Sequence, residues 1–580
     1  MSTVTSDPGQ AEAAVRGRRQ MFQATLQSDW LLVGLPIVSI ALWVLGLAGA
    51  DPRAMNDIGL LSLFGQANVA ALVLLAASVI IGLHRGVRER SLALQLVTFL
   101  ALIHATPAVL YGTLRYSWAW KHVGIVDYIL RHGAVDPMIN VSAIYHNWPG
   151  FFASGALLTT LAGRENLLTI ASWAPFAFNL MILVVLRFVL RGLTQDKRLV
   201  WLSLWLFFLI NWVGQDYFSP QAMAYVLYLA CIGLLIRGVT GWSRIALFVL
   251  FVTAVAVSHQ LTPIMLFITV TGLVVLRRTR GWYLPIIAFV VPLAWGLTGA
   301  RPYTLAQFPD LIETIGQPLQ NANETLEKAA VVNLAQGFVV WGGRSVVAIS
   351  AIVALIGVWR CWRNRTLQLT AVILMVLPGI LLMITGFDGE ILFRVMLFAA
   401  PFIAFNAATA IISINGRDGR LGARATVATA VLTAVLLPGF LLGYYGKERQ
   451  NYFTPAEVQA ATWVTERARP GSLLVEGSRN YPTQFRNYEN FTYVPIDREP
   501  QASWGPVVAD PAAVLSEWLA DPRYTDSYVL ITRSQKIEVD TQGPMPAGSL
   551  ESIESALRRS PEFQVALDTG DATVFVLRAG

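Results

Sequence analysis

Arg394 stands in the stretch GFDGEILFRVMLFAAPF, four residues after Glu390 and six after Asp388, at the head of an otherwise apolar run. A guanidinium is expensive to bury there unless something anionic meets it. Glu390, one helical turn away on the same face, is one such partner. The phosphate of a ligand is the other, because its oxygens suit the planar fork of arginine. Arg344 opens another apolar run and offers a second cation, or simply a helix anchor.

Asp127 and Arg131 have the i,i+4 spacing of a helix-surface ion pair. Asp127 is equally a carboxylate placed to act as a general base. Lys121 and His122 precede it, a cation and a titratable imidazole suited to phosphate binding, headgroup contact or snorkelling. Asp216, in GQDYFSPQ, lies between two apolar runs, where a carboxylate needs a partner or a cavity; it stands in for Asp127 as the second candidate base. Ser219 and Pro220 fit the N-cap and first turn of the helix that follows. His146 and Asn147 enter the stretch YHNWPGFF, either facing a cavity or holding the turn before Pro149. His259 and Gln260 close another hairpin, and no further ligands stand near them to make a metal site. Cys231 and Cys361 both sit in or beside apolar runs, which supports neither a disulfide framework nor a thiolate metal site. The sequons at Asn140, Asn323 and Asn490 are too common a pattern to count.

These residues are embedded in a chain of 580 residues that is 55% hydrophobic and only 14% charged, against about 25% charged in soluble domains. The composition is that of a polytopic membrane protein. The net charge of +7 comes in short Lys and Arg clusters between apolar runs, a pattern of topology and not of nucleic-acid binding. Apolar runs begin near Leu31, Ala67, Ser91, Ile170, Leu199, Ala222, Arg244, Leu261, Tyr283, Arg344, Leu367, Glu390 and Ala425, about thirteen spans of roughly 20 residues each. With residues 1–30 as a cytoplasmic tail, alternation puts HRGVRER, RGLTQDKR, RGVTGWSR, RRTRGW, WRCWRNR and NGRDGR on the cytoplasmic face. That agreement requires the run from Trp148 to Gly163 not to cross, so it is expected to lie along or dip into the outer surface.

The organisation expected is a membrane domain over residues 31–446, with external loops at 111–169 and 299–343, and an extracytoplasmic domain over residues 447–580. In the latter, Thr454 and Glu457 form a capping box with Pro455 in the first turn. SLLVEG, YVLITR, FQVALD and ATVFVLR predict short strands, and PAAVLSEWLA and SLESIESALRR predict helices between them. The fold class is therefore all-α and polytopic, carrying a small α/β domain at its C-terminal end.

The long first loop, WAWKHVGIVDYILRHGAVDPMINVSAIYHNWPGFFASGALLTTLAG, and the late stretch GFDGEILFRVMLFAAPFIAFNAATAI resemble the GT-C glycosyltransferase superfamily. Its members include protein O-mannosyltransferases and the aminoarabinose transferases of lipid A. In that superfamily an external loop carries an amphipathic helix, then an aromatic and proline stretch and a second juxtamembrane helix; IVDYILRHG and YHNWPGFFASGALLTTLAG are similar to the two. The resemblance covers about Tyr111 to Ala410. It implies inverting transfer of a sugar from a polyprenyl-phosphate donor to a cell-envelope glycan or lipid acceptor at the outer membrane face, with a carboxylate base and cations for the leaving phosphate. Carried over, it assigns donor phosphate to Arg394, Arg344 and Lys121. The base falls to Asp127 or Asp216, and the cavity to His122, His146, Asn147, His259 and Glu390. No cofactor is firmly implied, although a divalent metal would suit the chemistry. Where the superfamily carries an acidic pair near the start of the first loop helix, this chain has Trp118 and Ala119. That departure keeps two other classes open, a transporter or flippase of lipid-linked sugars and a non-catalytic scaffold whose external domain binds glycan or protein. Membrane lipids are partners in every case, and nucleic acid in none.

Overall fold

The computed structural model describes residues 30–86, 88–327, 333–387, 389–412 and 420–578. Residues 1–29 of the expected cytoplasmic tail, Asp388 and most of NGRDGR lie outside the described residues. Eight described helices are long and apolar enough to cross a bilayer: Trp30–Leu47, Gln66–Arg85, Glu89–Leu110, Ala174–Leu193, Pro220–Arg237, Leu334–Arg363, Ile391–Ile412 and Ala423–Asn451. Their outer faces expose Val44, Leu45, Val73, Val184, Leu355 and Val431, side chains that belong in lipid and not in water. The chain is a multi-pass, mostly helical membrane protein.

The count differs from the thirteen runs in the sequence. Tyr283–Leu297 qualifies only together with Arg301–Pro309, from which it is bent by 97°. Four more runs form shorter helices: Lys197–Ile210, Trp242–Ser258, Leu261–Val275 and Leu369–Met383. Fifteen helical residues rise only about 22 Å, short of the roughly 30 Å hydrocarbon layer. The causes are local. Leu369–Val376 tightens into a 3₁₀ stretch at Leu377–Met383, where Pro378 stands, and Leu261–Val275 stops before Arg277, which adopts φ 55°. Lys197–Ile210 need not face lipid at all, since every residue from Leu199 to Ile210 is buried. It is the axis around which Ala174–Leu193, Ile391–Ile412 and Ala423–Tyr445 pack. Helices also close in where side chains vanish. A Cβ at Gly357 would come within 1.9 Å of the Asn406 carbonyl, so Leu334–Arg363 and Ile391–Ile412 cross with their backbones nearly touching.

The basic loops gather at one end of the bundle. His84 bonds the Leu421 carbonyl at 3.0 Å, Arg198 donates to the Arg420 carbonyl at 3.0 Å, and Glu89 meets Lys197 at 2.8 Å and Arg187. Arg237 donates to the Phe188 carbonyl, Thr279 to that of Leu235, and Arg278 to the Thr370 hydroxyl. The opposite end carries the tail, held by Arg53 against Asp571 at 2.6 Å and by Arg449 against Asp57.

The tail begins with the helix Pro455–Arg467, capped by Thr454 and Glu457 with Pro455 in the first turn. Five strands follow: β1 (Ser472–Glu476), β2 (Phe491–Pro495), β3 (Ser527–Thr532), β4 (Phe563–Asp568) and β5 (Ala572–Leu577). They order as β2-β1-β3-β5-β4, with β1 parallel to both neighbours and β5 antiparallel to both of its own. Helices Pro511–Leu519, Arg533–Gln542 and Ser549–Arg559 lie between strands, giving a small α/β domain. One apolar cluster joins this domain to the first loop: Trp120, Val123 and Val126 pack with Phe152 and Phe218 and with Phe453, Tyr481 and Tyr488. The loop helix Ser117–His132 approaches so closely that a Cβ at Gly124 would lie 1.9 Å from the Gln484 carbonyl. Gly150–Leu161, the run expected not to cross, is a helix of 12 residues, about 18 Å long, packed on the same loop helix.

Candidate functional site

The end of the bundle that bears the tail contains two charged recesses. The first surrounds Arg394, near the start of Ile391–Ile412. Arg394 is 6% exposed and donates through Nη2 to Glu390 Oε2 at 2.5 Å, the same-face pair that the spacing allowed. The pair leaves Arg394 Nε and Nη1 buried without an acceptor among the described residues. A buried guanidinium N–H left unmet costs more than an ordinary lost hydrogen bond, so these two donors call for an acceptor.

Aromatic rings wall this recess. Tyr116, Tyr145 and Tyr217 all lie within electrostatic reach of both Glu390 and Arg394, and burial followed by Glu390 pushes the Tyr116 and Tyr145 phenols up. Tyr116 and Tyr217 meet edge to face at 4.7 Å. His122 stacks on Tyr217 at 5.6 Å and meets Tyr145 at 4.8 Å. Its Nδ1 lies 2.7 Å from the Phe218 carbonyl, which can only accept, so Nδ1 carries the hydrogen and Nε2 is left as a buried acceptor with no donor among the described residues. Burial pushes this imidazole down to about 3, and it is neutral at physiological pH. His259 is within range of Arg394 and of His122; its Nδ1 accepts from the Thr262 amide at 3.1 Å, capping Leu261–Val275.

The second recess is a cleft of about 200 Å³ between the loop helix and the tail. Lys121, Lys447, Arg479 and Arg498 line it, with Glu538 and the rings of Tyr116 and Trp118. Lys121 is only 4% exposed, and its Nζ sits 4.4 Å from the Trp118 ring centre. Burial pushes the ammonium down, with Glu476 partly opposing it. Glu538 accepts from Ser478 at 2.6 Å, and burial pushes its carboxyl up to about 7.

The other expected site residues stand elsewhere. Asp216 accepts from Asn179 at 2.7 Å and Tyr444 at 3.0 Å, and faces His104 at 2.9 Å. Asp127 meets Arg131 Nε at 2.8 Å, and Arg131 reaches on to Glu489 of the tail at 2.6 Å. His146 joins the loop to the tail through the Tyr488 hydroxyl at 2.5 Å and accepts from the Asp136 amide at 3.0 Å. Asn147 donates to the carbonyls of Pro137 and Ala143, fixing the turn before Pro149. Arg344 lies over the Trp341 ring at 5.2 Å. The structure therefore brings Glu390, Arg394, His122 and His259 together, and sets Lys121 against the tail. Tyr116, Tyr217, Arg479, Arg498 and Glu538 were missed from sequence. Among the described residues, no three His, Cys, Asp or Glu side chains group as a metal site, and Cys231 and Cys361 are buried and free.

No family model matches the chain, and no curated protein does. Among solved structures it is similar to the crystal structure of the Archaeoglobus fulgidus oligosaccharyltransferase tethered with an acceptor peptide containing the NVT sequon via a disulfide bond. The match covers 80% of this chain and 72% of that one, at 11% sequence identity and a TM-score of 0.48. A likeness at this level assigns neither family nor activity.

Proposed function

We propose that the chain is an integral-membrane glycosyltransferase of GT-C type, moving a sugar from a polyprenyl-phosphate donor to a cell-envelope glycan or lipid acceptor on the face that carries the tail. The observation that carries this reading is Arg394, a buried guanidinium at the edge of an apolar bundle with two N–H groups unmet among the described residues. The donor's lipid chain would lie among the exposed apolar helix faces, and its phosphate would take Nε and Nη1. The base we assign is Glu390, which through its bond to Arg394 stands beside the proposed phosphate, and not Asp127, paired with Arg131, or Asp216, paired with His104. The acceptor hydroxyl attacks the anomeric carbon, the bond from that carbon to phosphate oxygen breaks, and the hydroxyl proton passes to Glu390. Arg394 offsets the charge left on the phosphate, and His122 Nε2 accepts a sugar hydroxyl.

In this reading the tail and the first loop are extracytoplasmic, the basic end is cytoplasmic, and Gly150–Leu161 rests at the outer membrane surface. The four short helices and the bent pair complete thirteen passages. Cysteine labelling of intact cells at position 570 tests the orientation, with labelling from outside expected. For the site, polyprenyl-phosphate binding and thermal stability are measured together on purified variants. Arg394→Ala is expected to abolish binding nearly completely while the protein stays folded, and Arg394→Lys to weaken it. Unchanged lipid binding in Arg394→Ala, with lowered stability restored by removing Glu390 as well, would reduce the pair to a structural one and favour the scaffold.

A further inference from the structure

The cleft beside the loop helix gathers four cations around a single lining carboxylate. Three of its four cations, Lys121, Arg479 and Arg498, make no hydrogen bond or ion pair among the described residues, and Arg479 Nε is buried without an acceptor. The fourth, Lys447, donates only to the neutral amide of Gln542, at 2.9 Å. Against them stands one lining carboxylate, Glu538. Two further carboxylates lie behind the wall within electrostatic reach of Lys121. Glu476 is buried and accepts from Tyr481 and Thr483, and Asp497 lies beside Arg498. Burying an ammonium as deeply as Lys121 is costly, Glu476 offsets only part of that cost, and an arriving anion would offset more.

The position of the cleft decides which substrate it serves. Its far wall comes from the tail, through Arg479, Arg498 and Glu538, and only the last residues of Ala423–Asn451, Lys447, Gln450 and Asn451, join it from a membrane helix. A polyprenyl chain must stay in lipid, so the donor reaches the Arg394 recess, and the tail-walled cleft opens to a ligand arriving from water. Tyr116 borders both, lining the cleft and standing within electrostatic reach of Arg394. Lys447, in the cleft, is within reach of Glu390. A group held by the cleft therefore lies beside the proposed base. The Trp118 and Tyr116 rings offer flat apolar faces of the kind on which a sugar ring rests.

We infer that the acceptor is a phosphate-bearing glycan, and that Lys121, Lys447, Arg479 and Arg498 hold its phosphate. This rests on the glycosyltransferase reading for the word acceptor, but the anion site stands on its own residues.

The full-length protein in detergent is titrated with glucose 1-phosphate, inorganic phosphate, glucuronate and glucose, with calorimetry as the readout. Glucose 1-phosphate is expected to bind, glucose not, and the double variant Arg479→Gln/Arg498→Gln to weaken binding at least tenfold at unchanged thermal stability. Arg394→Ala is expected to leave this binding intact. Inorganic phosphate binding as tightly as glucose 1-phosphate would overturn the glycan assignment, and glucuronate binding as tightly would overturn the phosphate. Absence of binding, or binding indifferent to the double variant, would overturn the site. Competition by a short polyprenyl phosphate would make the cleft part of the donor site instead. If Arg394→Ala keeps its polyprenyl-phosphate affinity while the double variant loses glucose 1-phosphate, the donor reading fails and the anion site survives.

Discussion

The Arg394 recess and the Lys121 cleft share one wall, Tyr116, yet they treat charge in opposite ways. In the recess a single cation is half-satisfied by its own helix, within a ring of tyrosines and a neutral histidine. In the cleft several cations face one another and are gathered by segments from both parts of the molecule. A recess of the first kind suits a ligand with one charge and an apolar remainder. A cleft of the second kind suits a polar ligand with concentrated charge, and its electrostatics depend on the tail being docked.

The comparison breaks first at Glu390. Glu390→Gln keeps the size of the side chain and removes the base, so kcat is expected to fall by about 10²- to 10⁴-fold, with donor binding kept; a turnover assay with purified donor checks it. Unchanged turnover would return the base to Asp127 or Asp216.

Gly124→Val separates the two recesses mechanically. The added side chain meets the Gln484 carbonyl, and overpacking of this kind costs roughly 1–3 kcal/mol. Sugar-phosphate binding in the cleft is expected to be lost and polyprenyl-phosphate binding in the recess to persist. Limited proteolysis should release the tail faster than in the parent.

A smaller effect concerns pH. Glu538, pushed up to about 7, and Lys121, pushed down by burial, both become more positive as pH falls through neutrality. Between pH 8 and 6.5 glucose 1-phosphate affinity is therefore expected to rise by roughly fivefold. His122, held near 3, changes nothing in the recess over that range, so polyprenyl-phosphate affinity should change only as far as its own phosphate, second pKa about 6, titrates. Calorimetry at the two pH values compares the slopes, and Glu538→Gln should shrink the first.

The smallest effect is expected at Asp127. Its pair with Arg131 is partly exposed, and such pairs contribute about 0–1 kcal/mol. Asp127→Asn should shift stability by no more than that in a thermal melt and leave both ligands bound as before.

What could be read in the sequence follows the same division. Arg394 and Glu390 stand out because charge inside an apolar run is conspicuous, and Thr454, Pro455 and Glu457 announce a helix start by local rules. β2 escaped notice: Phe491–Pro495 is an edge strand that ends in proline and carries only two fully buried residues, so it lacks the apolar run that marked β1 and β3. Arg479, Arg498 and Glu538 look like ordinary surface residues of a soluble domain until the tail is seen against the loop helix. Eight of the thirteen runs form single helices long enough to cross, and apolar runs do not reveal which helices are sheathed by others; Lys197–Ile210 is apolar on every side because it is surrounded by protein.

The joint between first loop and tail has a consequence for biosynthesis. Arg131 and Glu489, which bridge it, are 358 residues apart in the chain, and five of the eight long spanning helices are synthesised between them. Chains fold from the N-terminal end as they emerge, so the loop helix waits through every later helix insertion with Trp120 and Val123 lacking their final cover. The cleft comes into being only when the tail has been made and docked on the loop helix. Docking of the tail and assembly of the anion site are thus one event, and a protein whose tail is not yet made holds its recess without its cleft.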